Sequence, residues 1–126
     1  MNINILYLPA ELILPIAVIM VGVSMWKNPP KIGEQFGFRT KRSQKSEAAW
    51  TYAQIAYGKV STAVFIPIEI LTLAAGVTAI VMNLGDLPAF ITFMAVEAAQ
   101  VAAIIIITFA VDLRLKKHFD EDGNLR

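Results

Sequence analysis

No cysteine occurs in this chain. Disulfides, thiolate nucleophiles and thiolate metal sites are therefore excluded, and the redox compartment leaves no mark on the sequence. Histidine is almost as scarce. His118 stands alone in a charged C-terminal stretch, where a solvated imidazole is the natural reading and a zinc site lacks ligands. Neither a metal nor a cofactor is expected. No glycine-rich phosphate loop with its lysine is present, so nucleotide hydrolysis has no support. No nucleophile–base pair accompanies the acids, and an enzyme is not expected. Charge is sparse as well, at 17% of 126 residues, and no lysine or arginine interrupts the three longest apolar runs.

Apolar side chains dominate instead. Hydrophobic residues make up 56% of the chain, and the mean hydropathy is +0.59. One domain is the prior at this length. Crossing the hydrocarbon core takes about 20 mostly apolar residues in a helix. Three segments qualify: 6–26, 61–82 and 88–111. The first lacks the basic start and small-residue cleavage site of a secretory signal, and reads as a retained helix. The expected fold class is an all-α integral membrane protein. It has three transmembrane helices, a cytoplasmic loop 27–60 carrying a short interfacial helix, and a cytoplasmic tail 112–126.

The basic residues set the direction. All eleven lie in the loop and the tail, and none in the N-terminal stretch or the turn between the second and third spans. Positive charge stays inside, which predicts an outer N-terminus and a cytoplasmic C-terminus. Trp26-Lys27 reads as an interfacial anchor. Gly85 is placed to close the second helix, and Pro88 suits the first turn of the third. Residues 120–126 read as a frayed polar tail.

The loop is the most distinctive part. Asn28-Pro29-Pro30 predicts an extended exit from the first span. Gly33 and Gly37 flank an irregular segment leading to Phe38-Arg39-Thr40. Serine at 43 or 46 can cap a helix through Trp50, Ile55 and Tyr57 that lies at headgroup level and bends near Gly58 into the second span. The basic run from Arg39 to Lys45 reads first as an orientation signal attracted to anionic lipid, and second as a docking surface for a cytoplasmic protein. Nucleic acid is not an expected partner so close to a membrane and without a recognised module.

Asn28, Gly37-Phe38-Arg39-Thr40, Ser43, Ser46, Trp50 and Gly58, between hydrophobic spans, resemble the signature of the SdpI family of bacterial membrane proteins. The resemblance covers roughly residues 22–110. Gln54 stands where that family often has Asn or His, and the insert between Asn28 and Gly37 is longer than in compact members. The resemblance implies a bacterial plasma-membrane protein. It further implies immunity to a secreted peptide toxin and the holding of a transcription regulator at the membrane, as the named family member does. Many relatives have no assigned role.

Each span also carries one glutamate: Glu11, Glu69 and Glu97. A carboxylate mid-span costs about 2.5–3.5 kcal/mol on insertion scales, and such residues are candidates for function. Helical spacing gives Glu69 a face with Thr62, Thr72 and Gly76, Glu97 one with Gln100 and Thr108, and Glu11 one with Pro15 and Gly22. Pro15 frees the Glu11 carbonyl, which then needs another donor. Rise per residue arranges the acids as a staircase of about 6 Å steps. Three readings stand: structural hydrogen bonding between helices, a ligand or cation site including Gln100, and a proton path. Arg39 folding back to meet a glutamate is a further expectation. Alanines 95, 99 and 103 invite self-association, and a homodimer is expected.

Overall fold

The computed structural model describes all residues, 1–126, and its helices are three. α1 runs Asn4–Lys27, α2 Glu47–Met82 and α3 Asp86–His118. Each is long and apolar enough to cross a membrane. Large side chains such as Ile13, Met20, Leu71, Val81, Ile106 and Phe109 stand exposed around the bundle, as a lipid-facing surface requires.

At 36 residues α2 is about 54 Å long, well beyond a hydrocarbon core of about 30 Å. The separate interfacial helix expected in the loop is absent. Its residues form the first turns of α2 and run through Gly58 without a break. Glycine in a helix costs only about 1 kcal/mol against alanine, and here it serves a packing purpose. A Cβ on Gly58 would collide with the Gly22 carbonyl and come 2.7 Å from the Trp26 nitrogen. One on Gly22 would lie 2.6 Å from Ser61 Oγ and 2.9 Å from Thr62 Oγ1. Ser61 and Thr62 turn their hydroxyls onto the backbone of the preceding turn, at Tyr57 and Gly58. Two bare glycines and two short side chains thus let α1 and α2 approach closely.

Asn83, not Gly85, closes α2. It adopts the left-handed conformation (φ 48°) and its N–H bonds the Ala79 and Ile80 carbonyls. Asparagine tolerates that region well. Gly85 caps the start of α3, accepting from Ala89 N at 2.9 Å, and Pro88 lies in the first turn as expected. The N-terminus is pinned to this corner: Asn2 donates to the Ile80 carbonyl and Asn4 to the Leu84 carbonyl.

The opposite end holds the apolar core, built on Met25, Phe38, Ala53, Phe65, Val111, Leu115 and Phe119. Trp50 is buried beside it. The tail expected to fray is instead folded back. Phe119 and Leu125 form a β-bridge, Arg126 N donates to the His118 carbonyl, and Asp120 Oδ1 accepts from Asp122 N and Asn124 N. Gly123 lies at φ +84° against Lys45 and Ser46, where a Cβ would come within 2.8 Å of Lys45. Burial of Phe119 and these local bonds supply what composition alone does not show.

Candidate functional site

Two groups of residues stand out, one in the membrane and one in the loop. The intramembrane group centres on Gln100, which is 1% exposed. Its Nε2 donates to the Glu11 carbonyl at 3.0 Å and reaches Thr72 Oγ1 at 3.2 Å. The acceptor that Pro15 deprives of its helical donor is therefore satisfied from α3. All three helices meet at this one amide.

The Glu11 side chain is buried, with Oε2 beside Gly76. Glu97 stands one turn before Gln100 on α3. The Gln100–Glu11 bond places Glu11 level with Gln100, so Glu97 lies about 4.5 Å from that level along the bundle, toward the Gly85 corner. Packing of Leu8 on Gly76 sets that register of α1 on α2. Glu69 stands a turn from Thr72 on the side of the basic loop and bonds neither of the other acids. Three buried oxygens here have no hydrogen-bond partner: Glu69 Oε2, Glu97 Oε1 and Gln100 Oε1. A set of orphaned acceptors in hydrocarbon is an arrangement that an incoming N–H donor or cation would relieve. A groove of about 260 Å³ between α2 and α3 leads to Thr72 and Gln100, walled by Ile68, Leu71, Val96 and Ala99.

The loop group is built by hydrogen bonds that the motif residues make among themselves. Trp50 Nε1 donates to the Pro30 carbonyl at 2.8 Å and fixes the exit from α1. Gln54, fully buried, brackets Phe38: its Oε1 accepts from Phe38 N at 2.6 Å and its Nε2 donates to Phe38 O at 2.9 Å. Phe38 packs on Tyr57 with ring centroids 5.1 Å apart. Gly37 lies at φ +140°, and any Cβ would strike Trp50 and Gln54 at 2.8 and 2.9 Å. Thr40 and Ser43 exchange bonds, Thr40 N to Ser43 Oγ at 2.8 Å and Ser43 N to Thr40 Oγ1 at 3.1 Å. Ser46 caps α2 by accepting from Ala49 N, and its hydroxyl donates to the Gly123 carbonyl at 2.6 Å. Gly58 serves the α1 crossing described above.

Asn28 and Arg39 are the signature residues left exposed. Asn28 ends α1, its N–H on the Ser24 carbonyl. Arg39 does not turn back to a glutamate. Its guanidinium lies 5.3 Å from the Trp50 ring centroid, because the grip of Gln54 on Phe38 points the next residue outward. Gln54 and Thr72 are residues whose parts sequence reasoning missed. A lone amide on the apolar face of an amphipathic stretch was the available signal for Gln54.

The sequence model of the SdpI/YfhL protein family matches residues 31–111, a range holding every signature residue except Asn28. No curated protein and no solved structure matches the chain. The match takes in the bracketed loop, the whole of α2 and most of α3. This chain is a multi-pass membrane protein of the SdpI/YfhL family.

Proposed function

We propose that this protein gives immunity to a secreted antimicrobial peptide, or signals its presence, as the named member of its family does. The observation that carries the reading is the bracketed loop. Its buried residues Phe38, Ser43, Trp50 and Gln54 are spent on holding shape, while Arg39 and the neighbouring Lys41 and Lys45 stay exposed. A fixed basic platform at one end of a helical bundle suits a cytoplasmic partner such as a regulator. The opposite end carries no lysine or arginine. By the positive-inside rule the platform is cytoplasmic and the N-terminus outside, in the plasma membrane of a bacterium. The test is a challenge of cells with and without the gene using secreted peptides from the same and neighbouring strains. Loss of the gene should raise sensitivity to at least one peptide, and Arg39→Ala should reproduce the loss. Unchanged sensitivity to all of them counts against the reading.

A second reading rests on the orphaned acceptors. A small homo-oligomeric transporter could use Glu69, Glu97 and Gln100 to take a cationic compound from the groove between α2 and α3. In liposomes, flux of a cationic dye should fall in Glu69→Gln or Glu97→Gln. Equal flux in wild type and both variants excludes it.

A further inference from the structure

Where the loop, the end of α3 and the tail converge, they enclose a cavity of about 340 Å³. Lys41, Arg42, Lys45, Lys116 and Arg126 line it, against two carboxylates, Asp120 and Glu121. One of those carboxylates is committed elsewhere, since Asp120 Oδ1 accepts two backbone N–H groups of the tail. Arg42 is engaged by Asp112 through Nη1 only. Arg126 is placed by its own bond to the Lys116 carbonyl at 3.0 Å. The cations come from three separate segments, so their convergence is a product of the fold and not of one charged run.

The depth of this cavity is fixed by internal markers. Lys27 and Lys59 both lie over the Trp26 ring, at 4.5 and 5.8 Å, which marks the inner edge of the apolar belt. The Tyr52 and His118 rings face each other at 4.9 Å. Seven residues from Tyr52 is Lys59, and the same step back along α3 reaches Val111. Lys116 is therefore about 8 Å beyond the hydrocarbon edge, in the layer where headgroups lie. A second concavity shares Lys116 and Arg126 and continues over Ala110 and Leu113, which face the lipid.

We infer that this basic cavity is a binding site for a phosphate-bearing anion, and that the adjoining apolar surface assigns the anion to an inner-leaflet lipid, headgroup among the cations and acyl chain along Leu113. The site differs from a diffuse attraction of the loop for acidic membranes in requiring the tail as well as the loop. It depends on the orientation given above, since the cavity must face the leaflet that holds acidic lipid.

Purified full-length protein in phosphatidylcholine nanodiscs, titrated with phosphatidylglycerol or phosphatidic acid and read by native mass spectrometry, tests this. Wild type should retain one acidic lipid saturably. Lys45→Gln with Lys116→Gln should weaken retention about twenty-five-fold, at roughly fivefold per lysine, while Lys45→Arg with Lys116→Arg should keep it. Lys31→Gln removes one such charge outside the cavity and should leave retention unchanged. A loss in Lys31→Gln as large per charge as that in the cavity variant would overturn the proposal, as would binding of inorganic phosphate without retention of any acidic lipid. Melting temperatures of all variants in detergent separate loss of binding from loss of fold.

Discussion

Gln54 is the residue on which the loop turns. Its amide is the sole side chain bonded to both the N–H and the carbonyl of Phe38, in a region closed to water. Gln54→Leu keeps the volume and removes both bonds, leaving the Phe38 N–H unpaired at about 1–3 kcal/mol and its carbonyl with only the 3.3 Å bond from Ser43 Oγ. The loop should open locally while the helices persist. Limited trypsinolysis at Arg39 and Lys41 should accelerate, with helical circular dichroism unchanged; protection equal to wild type would refute the bracket. Gln100 makes a second residue-scale case. Gln100→Leu strips the Glu11 carbonyl of its donor, and interhelical bonds of this kind contribute about 0.6–1.7 kcal/mol. Pro15→Ala returns the helical N–H, so the loss should shrink in that background. A double-mutant cycle on unfolding in detergent measures the coupling.

At the scale of elements, the closeness of α1 to α2 rests on Gly22 and Gly58. Gly58→Val pushes Cβ into the Gly22 backbone, where no flexible group can give way. Overpacking of this kind costs about 1–3 kcal/mol, and the melting temperature should drop by several degrees. Gly85→Ala, which meets only Pro88 at 3.9 Å, has no such clash; it should cost under about 1 kcal/mol, as a weaker cap of α3, and serves as the control. Ser46 joins two elements at once, capping α2 and holding Gly123. Ser46→Ala should cost about 1 kcal/mol as a lost cap. It should also release the tail, seen as faster cleavage after Lys116 and Lys117.

For the whole molecule, the basic residues gather at the end that also holds the apolar core, while the polar groups Asn4, Glu11, Thr72 and Gln100 lie in the other half. The bundle is thus anchored by packing at one end and by hydrogen bonds toward the other. A fluorescent reporter that matures only in the cytoplasm, fused after Arg126, should light up; the same reporter before Met1 should stay dark. The reverse pattern would remove the platform from the cytoplasm and with it the proposed partner.

Sequence alone determined three helices, because long uncharged apolar runs in a bilayer have no other way to satisfy their backbone. It also marked the loop: the spacing of Gly37, Phe38, Arg39, Thr40, Ser46 and Trp50 identified the family that the match over 31–111 established. Even the need of the Glu11 carbonyl for an outside donor followed from Pro15. Which donor meets it, Gln100, was decided only by how α3 packs on α1. Tertiary structure likewise decided that Gly58 is a contact and not a hinge, that Arg39 faces outward over Trp50, and that residues 119–126 fold back onto Ser46. The physical reason is common to all of these. Local sequence settles whether a backbone can hydrogen-bond to itself, but a side chain that bonds or packs across 16 to 89 residues gets its partner only from the register of whole helices.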